Sequence, residues 1–366
     1  MKQHVRVLVV DDSALMRKLI PQIIERDTSI HVVGTAMDGA FALKKIEELR
    51  PQVVTLDLEM PRMDGMETLR AITRKYRLPV IIVSAHSTQG ASSTFKALAL
   101  GAFDFITKPK DAASAHMEEI AADLISKIKV AAQAGIPRKP LEITPQIQPS
   151  KVTKPERTLT RARRVLAIGV STGGPNAVQY LLSQLPHDFP AAIVVVQHMP
   201  EGFTEMFARR LDESCSIDVK EAQSGDLLLA GRALICPGNR HMKVRRMPLG
   251  DVVVLSDEDK VNGHRPSVDV LFRSVAQEFG SASIGLIMTG MGDDGAEGLG
   301  DIKAVGGLTI AQSEDSCIVY GMPKAAVERG YVMRVVPLDA LANTLQVQSS
   351  ENARTAAQET GAGMKV

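Results

Sequence analysis

The 366-residue chain has no tryptophan, aromatic residues make up only 4 %, and cysteine occurs three times, at Cys215, Cys236 and Cys317. Three scattered thiols of odd number form neither a disulfide framework nor a zinc pattern, so they are expected to be reduced packing residues in a cytoplasm. The formal net charge is only +1, which gives no concentrated basic face for nucleic acid. No apolar run approaches the ~20 residues of a membrane span. The start, Met1-Lys2-Gln3-His4, has no long apolar segment ahead of its first acids, so a secretory leader is not expected. No repeat of solenoid period is present. What remains is an ordinary globular composition, long enough for two or three domains.

Residues 1–128 alternate between short apolar runs and longer amphipathic ones. Val5–Val10, His31–Ala36, Val53–Leu58, Val80–Ser84 and Phe103–Thr107 are expected strands. Helices are expected at Ala14–Arg26, Gly39–Leu49, Gly65–Tyr76, Thr88–Leu100 and Ser114–Val130. Strand–helix pairs with short connections imply a doubly wound, five-stranded parallel sheet, with its site beyond the carboxyl ends of the strands. Residues 129–161 carry Pro137, Pro140, Pro145, Pro149 and Pro155 among basic and polar residues, the composition of an extended linker. A second, larger doubly wound α/β region is expected over 162–348. Its strands are Val165–Val170, Ala192–Gln197, Ala233–Cys236, Ser283–Met288 and Leu308–Ala311, with Val252–Leu255 in a stretch that could add a hairpin. Helices are expected at Asn176–Gln184, Thr204–Glu213, Ser267–Glu278 and Ala296–Val305. The small polar tail, 349–366, is expected to be disordered.

Asp11 and Asp12 follow the first strand, Asp57 ends the third, and Lys108 follows the fifth. A doubly wound sheet brings these ends together. Three close carboxylates repel unless a cation is present. A hard dication such as Mg²⁺ resolves the conflict and leaves an ionised Asp able to attack a phosphoryl donor, with metal and lysine offsetting the charge. As single residues, the acids would read as helix caps and turn residues. With Leu56-Asp57-Leu58-Glu59-Met60-Pro61-Arg62-Met63-Asp64-Gly65, this part of the chain resembles the receiver domain of two-component response regulators over 1 to about 125. The resemblance implies Asp57 as phosphoacceptor and Mg²⁺ held by Asp12, Asp57 and the backbone carbonyl of Glu59, with Asp11 supporting that shell. It further implies Lys108 on the phosphoryl group, Ser84 as the hydroxyl that swings toward it, and Phe105 as the switch aromatic, without the hydroxyl that some members carry.

In the second region, Gly169-Val170-Ser171-Thr172-Gly173 matches G-x-S-x-G, a strand-to-helix turn that exposes a serine. Such turns also cradle phosphates, but the phosphate-loop lysine and a full G-x-G-x-x-G are missing. A serine nucleophile needs a base. His198 follows the next strand, which favours it over His241 and His264, although a lone histidine is more often structural. The base needs a carboxylate. Thr289-Gly290-Met291-Gly292-Asp293-Asp294-Gly295 supplies two, which spacing does not separate and which could instead bind a metal or cap a helix. The order serine, histidine, acid differs from that of α/β-hydrolases.

These segments resemble the catalytic domain of chemotaxis protein-glutamate methylesterases, from about Arg163 to Leu345. The resemblance selects Ser171, His198 and Asp294 as the triad. It suggests backbone N–H groups of Thr172 and Met291 as the oxyanion hole, and places Pro237–Met242 and His264–Asp269 near the substrate cleft. It implies hydrolysis of glutamate methyl esters and deamidation of glutamines on chemoreceptors, with no metal in the ester chemistry. A chemotaxis histidine kinase would be the phosphodonor. The chain would be a cytoplasmic monomer that reaches membrane arrays only through its partners. A receiver ahead of an esterase also leads to the expectation that phosphorylation relieves a block on the cleft. The rival outputs are DNA binding, disfavoured by the near-neutral α/β region, and phosphorylation-dependent protein binding without catalysis.

Overall fold

A computed structural model describes residues 4–85, 87–108, 116–134 and 160–361. The chain divides into two compact units, 1–142 and 143–366. Most of the expected linker, residues 135–159, lies outside the described residues.

The first unit runs β1 (Val5–Val10), α1 (Ala14–Ile24), β2 (Ile30–Ala36), α2 (Gly39–Leu49), β3 (Val53–Asp57), α3 (Gly65–Ala71), β4 (Val80–Ser84), α4 (Thr88–Ala99), β5 (Asp104–Thr107) and α5 (His116–Ala134). The strands form one parallel sheet in the order β2-β1-β3-β4-β5. β3 and β4 are buried along their whole length, as a sheet covered on both faces requires. Ser13, Asp38, Asp64 and Ser87 each accept an N–H of the helix they precede, so turn chemistry written in the sequence starts four of the five helices. The expected helix Gly65–Tyr76 changes character at Ile72, where a wider π-helical turn runs to Tyr76 and Arg77 closes it at φ 52°. α5 continues to Ala134, past the boundary expected at residue 128. Ala131, Ala132 and Ala134 favour helix, and Ala131 is fully buried.

The second unit contains β6 (Arg164–Val170), α6 (Gly174–Ser183), β7 (Ala191–Gln197), α7 (Phe203–Ser214), β8 (Asp218–Glu221) and β9 (Arg232–Ile235). An antiparallel hairpin of β10 (His241–Arg245) and β11 (Val252–Ser256) follows. The chain then forms α8 (Val268–Phe279), β12 (Ser283–Ile287), α9 (Ala296–Ala304), β13 (Leu308–Gln312), α10 (Met322–Glu328), β14 (Arg334–Val336) and α11 (Leu338–Gly361). The seven-stranded parallel sheet has the order β14-β13-β12-β6-β7-β9-β8. Winding leaves β6 toward β7 on one side and later returns to β12 on the other. The crevice where strand order reverses therefore lies at β6. α8 packs Val268, Leu271, Phe272 and Val275 into the core beside β6, all fully buried.

Of the tail 349–366, expected to be disordered, residues 349–361 continue α11, and 362–366 lie outside the described residues. Leu338, Leu341 and Leu345 anchor its first turns in the core. Among the described residues, no helix is long and apolar enough to cross a membrane.

Candidate active site

Three adjacent strands, β12, β6 and β7, end at the crevice. Ser171 follows β6, His198 follows β7, and Asp294 lies in the loop after β12. Gly173 takes φ 77°, which turns the chain into α6 immediately after the serine. A Cβ there would lie 2.7 Å from Ile318 Cβ, so the position has neither the backbone freedom nor the space for a side chain. Gly295, at φ 93°, turns the chain into α9 right after Asp294, and a Cβ on it would meet Val268 Cγ1 at 2.4 Å.

His198 Nε2 lies 2.9 Å from Asp294 Oδ2. Asp294 is 1 % exposed. Its Oδ2 also accepts the Val268 N–H at 2.7 Å, and its Oδ1 accepts from Ser267 Oγ at 2.7 Å, Asn262 Nδ2 at 3.2 Å and the Asp269 N–H at 3.3 Å. Burial pushes the carboxyl up, but the hydrogen bond and charge of His198, with the Ser267 and Val268 donors, hold it well below the usual carboxylate range. An ionised Asp294 requires Nε2 to carry the proton. Nδ1 of the neutral ring is then the lone-pair atom, and this buried nitrogen has no hydrogen-bond partner among the described residues. Among the described residues, no hydrogen bond joins Ser171 Oγ to this nitrogen.

Spacing left the two acids of the loop equivalent; geometry separates them. Asp293 is exposed and pairs with Arg329 at 2.7 Å, while Asp294 turns inward to His198. Both rival histidines have other duties. His241 is fully buried: its Nδ1 accepts the Ser267 N–H at 3.2 Å, and its Nε2 lies 3.0 Å from the Asp259 carbonyl. His264 stacks on His198, with ring centroids 4.0 Å apart and planes 11° from parallel. Thr172 is buried, and its carbonyl accepts from Thr289 Oγ1 at 2.9 Å; Met291 is half-buried on the loop after β12. The His264–Asp269 segment lies at the site, supplying donors from Ser267, Val268 and Asp269. Sequence reasoning missed Asn262, which donates to Asp294 and, at 2.7 Å, to the buried Asp269. Burial raises the Cys236 thiol strongly and the Cys317 thiol to about 12.

The first unit gathers its own cluster. Asp11 and Asp57 are buried and Asp12 is exposed, and ligand atoms of all three lie within 4.8 Å of one another. Lys108 Nζ sits 2.7 Å from Asp57 Oδ2 and 3.2 Å from Asp11 Oδ2. Burial and the charge of Asp57 raise the Asp11 carboxyl despite Lys108. Burial opposes the Lys108 charge, yet Asp57 and Asp11 outweigh it and raise the ammonium above its ordinary value. Arg17 Nη1, not anticipated from sequence, holds the carbonyls of Asp11 and Asp12 at 2.8 and 2.7 Å. Glu59 donates its N–H to Asp57 Oδ1 at 3.2 Å. Ser84 Oγ is buried, accepts from Thr94 Oγ1 at 2.7 Å and donates toward the Gly90 carbonyl at 3.2 Å, so it is held against α4. Phe105 is buried, with Lys127 Nζ 5.7 Å from its ring centroid. Three oxygen ligands around an incompletely neutralised centre fit a hard divalent cation.

A receiver-type acid-and-lysine pocket in one unit and a serine, histidine and aspartate at the switch point of the other define a receiver-linked hydrolase of the α/β class. The sequence model of CheB methylesterase matches residues 166–345, and that of the response regulator receiver domain matches 7–118. Protein-glutamate methylesterase/protein-glutamine glutaminase 2 of Koribacter versatilis is 65 % identical over 350 residues, 94 % of this chain and 96 % of the relative. The Pyrococcus horikoshii protein-glutamate methylesterase/protein-glutamine glutaminase is 46 % identical over 349 residues, 94 % of each chain. The crystal structure of the Thermotoga maritima CheB methylesterase catalytic domain is similar at TM-score 0.50 and 39 % identity, covering 50 % of this chain and 98 % of that one. The chain belongs to the protein-glutamate methylesterase/protein-glutamine glutaminase family.

Proposed function

We propose that Ser171, His198 and Asp294 hydrolyse γ-methyl esters of glutamate on chemoreceptors, and deamidate glutamines with the same machinery, under control of phosphorylation at Asp57. The observation that carries this reading is the orphaned, buried His198 Nδ1, on a ring oriented through Nε2 by Asp294.

Ser171 Oγ attacks the ester carbonyl as its proton passes to His198 Nδ1. The imidazolium is stabilised by Asp294, whose five donors keep it ionised. Backbone N–H groups of Thr172 and Met291 receive the oxyanion, each such donor being worth about 10²–10³ in rate where tested. The tetrahedral intermediate expels methoxide, which takes the proton from His198 and leaves as methanol. Water, deprotonated by Nδ1, then hydrolyses the acyl-enzyme to free glutamate. With glutamine, ammonia leaves instead.

In the receiver, which we place at 1–134, to the end of α5, ahead of a linker to 161 and a catalytic domain from 162, Asp12, Asp57 and the Glu59 carbonyl would hold Mg²⁺, with Asp11 behind them. When bound, the ion offsets the negative charge of carboxylates and phosphoryl group. Asp57 accepts the phosphoryl group from a chemotaxis histidine kinase, Lys108 contacts its oxygens, and Ser84 leaves the Gly90 carbonyl to reach it while Phe105 follows. The protein acts as a cytoplasmic monomer that meets receptor arrays through its partners. The test is methanol release from methylated receptor membranes, with and without a small phosphodonor. Release that Ser171→Ala leaves unchanged would reject the enzyme reading in favour of a binding module.

A further inference from the structure

Gln197 closes β7, whose other six residues, Ala191-Ala192-Ile193-Val194-Val195-Val196, are all apolar. It is 2 % exposed. Its Nε2 donates to the carbonyl oxygen of Ser171 at 3.0 Å and to that of His198 at 3.2 Å. Its Oε1 is buried without a hydrogen-bond partner among the described residues. Burying an unpaired carbonyl oxygen is unfavourable, and an aliphatic residue would complete the strand without that penalty. The amide also fills space that only glycine leaves: a Cβ on Gly174 would lie 2.1 Å from Oε1.

We infer that Gln197 is a positioning residue, a buried carboxamide clamp that joins the backbone of the nucleophile to that of the base. The inference rests on the catalytic reading above. A trans peptide points its C=O and N–H in opposite directions. The Ser171 carbonyl accepts from Gln197 Nε2 and from the Gly174 N–H at 2.8 Å, both on the interior side. Thr172 N–H, the other end of that peptide, is thereby directed away from the interior and polarised as a donor. The same amide fixes the His198 carbonyl, and the His198 N–H to Val170 carbonyl bond at 3.1 Å supplies a second tie. The clamp sets where Ser171 and the oxyanion donor lie relative to His198, and does so without touching substrate.

The test uses the full chain with Gln197→Met, which keeps length and removes the donor, and Gly174→Ala, which displaces the amide while Gln197 stays in place. Methanol release from methylated receptor membranes gives kcat and KM. Affinity for a peptide boronic acid that adds to Ser171 reports the tetrahedral oxyanion geometry. Melting curves report folding. Both variants should lose kcat by about 10²-fold, the scale of a small misplacement of catalytic groups, with KM little changed. Boronate affinity should fall in step. A merely structural role would lower the melting temperature and leave kcat per folded molecule and boronate affinity at wild-type values; that result overturns the clamp. If Gln197→Met does not fold, Gly174→Ala carries the same two outcomes. Ser171→Ala separates the two claims: its inactivity beside a fully active Gln197→Met rejects the clamp alone, whereas its full activity rejects the catalytic reading.

Discussion

Replacing Asp294 by asparagine is the sharpest perturbation of the site. Five donors converge on its two oxygens, and an amide accepts at only one end. If the NH₂ faces His198, the ring must accept at Nε2 and carry its proton on Nδ1, the atom that receives the serine proton in the proposed mechanism. If the NH₂ faces the other way, it opposes Asn262 Nδ2 and the Asp269 N–H, while the Ser267 hydroxyl can turn to accept. The first arrangement inverts the tautomer, a change that costs about 10⁴ in kcat in a well-studied serine protease. The expected loss here is about 10³–10⁴ in kcat, read as methanol release. Hydrogen bonds to a charged group are worth about 1.5–3 kcal/mol each, so losing one or two lowers stability by about 2–5 kcal/mol at neutral pH. The folded-state pKa of Asp294 is depressed from 3.8. Its contribution is therefore fully present above that value and is lost as pH falls through the folded pKa. Asp294's own contribution to the stability gap between wild type and variant should persist down to about pH 4 and be lost in stronger acid. A folded Asp294→Asn enzyme within tenfold of wild-type kcat would refute the tautomer argument.

Gly173→Val introduces a side chain at φ 77° and against Ile318, and should cost about 1–3 kcal/mol in a denaturant melt together with most of the activity; unchanged stability would contradict the tight-turn account. Asn262→Ala removes a donor shared by Asp269 and Asp294 and should destabilise by about 1–3 kcal/mol, a loss that a thermal melt would detect. Asp57→Asn should abolish the response to a small phosphodonor, which in wild type is expected to fall within the roughly 5–150-fold range of allosteric couplings. Normal stimulation of that variant would place the phosphoacceptor elsewhere.

Much of the architecture is legible in the sequence because parallel strands buried on both faces read as unbroken apolar runs. β1, β3, β4, β6 and β7 announce themselves this way. Asp-Asp, Asp, Ser and His at the ends of such runs mark the two sheet edges that carry the candidate sites. The edge strand β8, Asp218-Val219-Lys220-Glu221, shows no such run because one side faces solvent, and β14 has only three residues. α10 is too short, and α11 too polar beyond Leu345, for periodicity to reveal. Asp293 and Asp294 are chemically identical in sequence. They differ only because Gly295 turns one inward and Arg329 holds the other outside. The partners of Asp294 were hidden for another reason: Val268 and Asp269 act through backbone N–H groups, which no side-chain motif records. Gln197 did leave a trace, as the one polar residue in an apolar strand.

The most direct measurement is methanol release from methylated receptor membranes by the full chain and by Ser171→Ala, each with and without a small phosphodonor. Release by the wild-type chain that rises with the phosphodonor, and its loss under both conditions in Ser171→Ala, is the expected result. Methanol released by Ser171→Ala at the wild-type rate would contradict the account.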